Sequence, residues 1–147
     1  MYRRILIPTD GSAVARKAVD TGVALAKALK ATVVGYHALE AIEHIYVRGG
    51  ASVRQANAGE IERGLRETGD RYLDEIRKAA TSAGVPCESM MTSPGDPYLG
   101  IIDAARERRC DLVCIGSHGR GGVASVILGS VAQKVLSRST IPVLVCR

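Results

Sequence analysis

The sequence has no tryptophan and no phenylalanine, so five tyrosines carry all of its aromatic character. Proteins that bind single-stranded nucleic acid stack bases on aromatic rings set among basic residues. The tyrosines here do not alternate with basic residues in that way. The formal charge of +5 and the pI near 9.2 come from scattered residues, densest at Arg106, Arg108 and Arg109. No nucleic-acid partner is expected, and a solvated basic surface would suit an anionic small ligand. Long apolar runs are also missing: nothing approaches the roughly 18 residues that a membrane span needs. Arg3-Arg4 is followed by only four apolar positions before Thr9-Asp10, which is not a signal-peptide layout. The expectation is a cytoplasmic protein with no membrane partner.

Cysteine is sparse. Of the four present, Cys110 and Cys114 stand four apart with no second pair or histidine at zinc-ligand spacing. Cys114 and Cys146 fall within predicted buried strands, where cysteine serves as a small hydrophobe. Neither a metal site nor a disulfide is expected.

What is present is ordinary for a globular chain: 46% hydrophobic and 24% charged residues. At 147 residues it is long enough for one domain, 1–147, to bury a core without staples. Arg4-Ile5-Leu6-Ile7-Pro8 is a short apolar run closed by Thr9-Asp10-Gly11-Ser12, a turn rich in helix caps. Residues 12–30 place Ala15, Ala18, Val19, Gly22, Leu25, Ala26 and Leu29 on one helical face. Thr32-Val33-Val34-Gly35-Tyr36 makes a second strand, and strand–helix–strand is a parallel crossover. Residues 40–59 break the rhythm. A helical turn or two fits near 41–47, but Gly49-Gly50 and the run from Gln55 to Gly59 read as a long mobile loop of unassigned role. A helical period resumes from Glu60 to near Gly84, followed by a more polar strand over 86–92. Asp96-Pro97 opens the next helix. A buried strand over 111–115, a glycine-rich loop, a helix over about 126–137 and a last strand over 141–146 complete the chain. Five strands alternating with four helices predict an α/β fold. Its parallel sheet is expected in the order 3-2-1-4-5 with helices on both faces, an open three-layer sandwich.

The glycine loop, Gly116-Ser117-His118-Gly119-Arg120-Gly121-Gly122, carries the functional signal. Strand, glycine loop and helix together aim main-chain N–H groups and a helix N-terminus at an anion. The lysine-dependent phosphate loop fails, because Gly122 stands where its lysine should be. The dinucleotide fingerprint fails as well: it would follow the fourth strand, and no acidic residue lies beyond Asp111 to hold a ribose. In the proposed strand order, the loops after strands one and four flank the point where the winding reverses, which is where open α/β sheets bind ligands.

Gly116-x-x-Gly119, nine residues, then Gly129-Ser130 resembles the nucleotide-binding signature of the universal stress protein family. The resemblance extends to residues 5–12, to Gly95-Asp96-Pro97, to residues 111–120, to Ser130-Val131-Ala132 and to Ile141-Pro142-Val143-Leu144-Val145. Residues 40–59 have no clear counterpart. The resemblance implies an adenine nucleotide, ATP in the first instance, with any Mg2+ carried by its phosphates. It implies that Asp10 holds ribose hydroxyls with Pro8 and Thr9 beside the nucleoside, and that Ala38 reads adenine through main-chain groups. Gly116 and Gly119 would admit the main chain to ribose and phosphate. Gly129 would allow close approach, and Ser130 with the amide of Val131 would hold phosphate oxygens.

Each position keeps a plainer alternative. Asp10 and Ser130 could be helix caps. Gly121 and Gly122 could serve backbone freedom alone. Arg120 could clamp a phosphate or stand in solvent, and His118 could pack rather than act. His37 and His44 have no partner pattern. With no carboxylate between Asp111 and Arg147, binding with little or no hydrolysis is expected. The alternatives are a nucleotide-free protein–protein adaptor and a slow ATPase. The apolar last strand, uncharged before Arg147, would be an exposed edge, so a homodimer through Ile141 to Val145 is expected, as the resemblance also implies.

Overall fold

The computed structural model of the chain describes residues 1–54, 57–120 and 128–147. Strand β1 (Arg4–Pro8) contains Ile5, Leu6 and Ile7, all fully buried, as a strand covered on both faces requires. Helix α1 (Ala13–Leu29) starts where the Ser12 hydroxyl accepts from Ala15 N at 3.1 Å, and ends at Lys30 in a left-handed conformation. Then come β2 (Thr32–Ala38), α2 (Ile42–Arg54), α3 (Ala58–Ala83) and β3 (Cys87–Thr92). The chain continues through α4 (Pro97–Glu107), β4 (Leu112–Gly116), α5 (Ser130–Arg138) and β5 (Val143–Cys146). All pairings are parallel, as the alternation of elements predicts, and the order is β3-β2-β1-β4-β5, the one expected above.

Period-two alternation splits the core into two layers. Ile5, Ile7, Val33, Cys114 and Cys146 face α1 and α3, meeting Ala18, Val23 and Ile76. Leu6, Val34, Tyr36, Val113 and Ile115 face α4 and α5, meeting Ile101, Ala104, Ala132 and Val135. The buried cysteines act as core hydrophobes, and burial pushes the Cys110 thiol up to about 11.

The segment 40–59 departs from expectation. It is helical over Ile42–Arg54, and Gly50, at φ 63° and ψ −155°, puts a kink inside the run. That interruption hides the helical period. The Asn57 side chain caps α3 by accepting from Glu60 N at 2.8 Å, so Ala58 and Gly59 begin a helix rather than end a loop. Residues 55 and 56 lie outside the described set. The described residues thus hold five helices, not four, and the helix after Pro97 is the fourth.

Two other boundaries shift for local reasons. Asp111 stays outside β4 because its carboxylate accepts from the N–H groups of Arg3 and Arg4 at 2.8–3.0 Å, pinning the start of β1. The Ser139 hydroxyl bonds both the N–H and the C=O of Ile141, so β5 starts at Val143. Helix α5 starts at Ser130; residues 126 and 127, which the periodicity places inside it, lie outside the described set. Among the described residues no helix is long and apolar enough to cross a membrane.

Candidate functional site

A cavity of about 500 Å3 opens at the carboxyl ends of β1, β2 and β4. The ten residues singled out above all line it: Pro8, Thr9 and Asp10 where β1 ends, Ala38 at the end of β2, and Gly116, Gly119, Arg120, Gly129, Ser130 and Val131 between the end of β4 and the start of α5. Gly121 and Gly122 lie outside the described residues.

The first wall is the turn after β1. Thr9 N donates to Tyr36 O at 2.9 Å, so the chain leaves the sheet at Thr9. Asp10 is not the cap of α1; Ser12 is. The Asp10 carboxylate instead accepts from Ser12 N through Oδ1 and from Arg120 N through Oδ2, both at 3.0 Å. An ionised carboxylate offers about four acceptor sites, so each oxygen keeps one for a donor in the cavity. A Cβ at position 119 would collide with Asp10 Oδ2, so glycine is what lets the β4 loop close over the aspartate.

The second wall is the end of β2. Its last β1 partner is Tyr36, opposite Pro8, and Leu39 N already bonds Thr92 O on the β3 side. Alternation along a parallel strand therefore turns the Ala38 N–H and C=O toward β1, two positions beyond that strand's last pair. They face the cavity.

The third wall joins β4 to α5. Ser117, 2% exposed, donates its N–H to Cys146 O and accepts from Gly129 N, both at 2.6 Å. His118 Nδ1 lies 3.1 Å from the Ser117 hydroxyl. A Cβ on Gly129 would stand 3.0 Å from His118 Cα, so a side chain here would push the loop away from the helix start by a few tenths of an ångström. Gly129 is the N-cap and has no side chain to offer, so Ser130 is the first helical residue and not a cap; it is exposed. The N–H groups of Ser130, Val131 and Ala132 have no carbonyl partner within the helix, and they carry the positive end of its dipole.

Arg120 lines the cavity and is exposed. Its Nε donates to Asp10 O at 2.7 Å, and its guanidinium lies 5.0 Å from the Tyr72 ring centroid and donates to the Tyr72 hydroxyl. His37 gains a partner too, with Nδ1 2.8 Å from Thr9 O. The apolar floor of Tyr36, Ile101 and Ile115 carries no sequence signal beyond ordinary core periodicity. Burial pushes the Tyr36 phenol up, partly offset by its 2.7 Å hydrogen bond to Thr92 Oγ1, so it is a neutral wall. Among the residues lining the cavity, Asp10 is the one carboxylate, and no metal-ligating cluster is found among the described residues.

A family model for the universal stress proteins matches residues 1–147. Universal stress protein YxiE of Bacillus subtilis is 32% identical over 151 aligned residues that cover all of both chains. The structure of the hypothetical protein MJ0577 superposes with a TM-score of 0.78 at 28% identity, covering 99% of this chain and 96% of that one; its source is Methanocaldococcus jannaschii. A universal stress protein in complex with cAMP superposes with a TM-score of 0.72 at 25% identity, covering 99% and 97%.

Proposed function

Because the chain belongs to the universal stress protein family, we propose that it binds an adenine nucleotide, ATP foremost, and acts through occupancy rather than turnover. The observation that carries this reading is a single cavity holding three matched features. A carboxylate with two open acceptor sites suits a ribose diol, the freed main-chain groups of Ala38 suit a base edge, and a helix N-terminus suits phosphate. The base would rest on the apolar floor, with Pro8 and Thr9 beside the nucleoside. Gly116 and Gly119 would let the main chain approach the sugar and the first phosphate. Ser130 and the Val131 amide would hold phosphate oxygens. The cAMP complex of a relative supports the nucleotide class.

Asp10, committed to two main-chain donors and aimed at the sugar, is poorly placed to hold a metal at a terminal phosphate. Any Mg2+ would be held by the phosphates. The reading includes a homodimer through β5, an edge strand whose Leu144 is exposed.

Purified protein, denatured and analysed for released nucleotide, should yield an adenine nucleotide. Ser130→Ala should weaken ATP binding about tenfold, the scale of one lost hydrogen bond to a charged group. No released nucleotide, with no thermal shift from ATP, AMP or cAMP, would overturn the reading in favour of an adaptor. Steady-state hydrolysis above about 1 s−1, abolished in Ser130→Ala, would instead make it an enzyme.

A further inference from the structure

Tyr72, in α3, lies outside the cavity, and no described residue of α3 lines it. Yet the tyrosine contacts both side chains that bond the carbonyls of the Thr9-Asp10 turn, Arg120 and His37. Its hydroxyl accepts from Arg120 Nη2, and the Arg120 guanidinium stacks on its ring. The same arginine binds Asp10 O through Nε and the Asp10 carboxylate through its main-chain N–H. On its other side the ring meets His37 edge-on, centroids 5.5 Å apart, and His37 Nδ1 bonds Thr9 O. Two successive carbonyls of the turn are thus held by side chains that both rest on one phenol ring. The turn is shaped to admit that ring. Gly11 sits at φ +76°, and a Cβ there would collide with the Tyr72 ring.

From this arrangement we infer that Tyr72 is a positioning residue for Asp10 and, through Arg120, sets how strongly the site prefers ribose to deoxyribose. The inference rests on the nucleotide reading above. The physical reason is one of aim. The Oδ2 of Asp10 is held by a single main-chain donor on a loop, and a hydroxyl on the ligand rewards the carboxylate only if its open acceptor sites point inward. Arg120 is an exposed residue on a glycine-rich loop, and beyond its bond to Asp10 O its side chain is held by Tyr72. Without the ring, the arginine side chain loses its platform and its main-chain hydrogen bond to Asp10 loses its support.

The test compares Tyr72→Phe and Tyr72→Leu with the unmodified chain by two measurements. The first is amide hydrogen exchange at Arg120 in the ligand-free protein. The second is the ratio of the Kd for 2′-deoxy-ATP to that for ATP. The unmodified chain should favour ATP about tenfold, as expected for one hydrogen bond to a carboxylate. Tyr72→Phe, which keeps the ring under the guanidinium, should retain most of that preference. Tyr72→Leu should bring the ratio close to one and speed exchange at Arg120 at least about tenfold. A tyrosine that only supports the fold would weaken both nucleotides equally and leave the ratio intact, which would overturn the inference. So would a ratio near one in the unmodified chain, or unchanged Arg120 exchange in Tyr72→Leu. Binding of neither nucleotide by the unmodified chain would sink the nucleotide reading instead, and the exchange measurement would still decide whether Tyr72 holds the Arg120 amide.

Discussion

Asp10 and Gly119 come from loops more than a hundred residues apart and occupy a single volume. The carboxylate stands where a side chain at 119 would begin. Gly119→Ala should therefore push Asp10 off its two main-chain donors and weaken ATP binding at least about tenfold, as read by titration calorimetry. The change lies at the exposed mouth of the cavity, so the thermal midpoint should move little. Both residues are marked in the sequence, one by the turn after the first strand and one by the glycine spacing. Their contact is not, because nothing in a linear pattern says which atom fills the space that a glycine leaves empty. Arg120 illustrates the same limit. Its charge and its place beside the glycines suggest phosphate or solvent, and they give no sign of the ring it also rests on, which belongs to a helix that the sequence does not connect to the site.

At the scale of elements, the sheet is tied at its far end from the cavity by Arg4 of β1. Its guanidinium crosses β2 to reach Glu88 of β3 at 2.8 Å. That hydrogen bond holds the Glu88 carboxyl below its ordinary value of 4.5. A carboxyl lowered in the folded state stabilises the fold above its unfolded value and loses that contribution as pH falls through the folded value. The pair is substantially exposed, so its worth is under about 1 kcal/mol. Glu88→Gln should be slightly less stable than the unmodified chain to urea at pH 7, and the difference should shrink as pH falls below the ordinary carboxyl value and through the lower folded one. Strands were readable because buried runs such as Ile5-Leu6-Ile7 are short, apolar and closed by turn residues. Helix α2 was not, since Gly50 takes a conformation that no periodicity contains. The cap of α3 is hidden for a related reason: Asn57 lies in a run of small polar residues that reads equally well as loop.

For the whole molecule, the strand order brings three loops together at one end and leaves β5 at an edge. Leu144 is 36% exposed there and Arg147 is the nearest charge on that strand's own stretch. If the proposed dimer forms, Leu144→Lys should give a monomer by light scattering at micromolar concentrations where the unmodified chain should run as a dimer, with ATP affinity unchanged because β5 contributes nothing to the cavity lining. A stable monomer in the unmodified chain would remove the dimer from the reading. The architecture was legible because alternating elements and right-handed crossovers leave few arrangements open. The floor of the cavity was not, since Tyr36, Ile101 and Ile115 obey the same periodicity as core residues that touch no ligand.

The overhang of β2 beyond β1 also bears on how the chain tolerates change. If the base is read by the N–H and C=O of Ala38, its recognition is written in the path of the backbone rather than in a side chain. Nineteen of the twenty amino acids carry both groups, proline alone lacking the N–H. Position 38 can then drift among residues small enough to leave the cavity open without altering which base is read, and base preference becomes heritable through the fold itself.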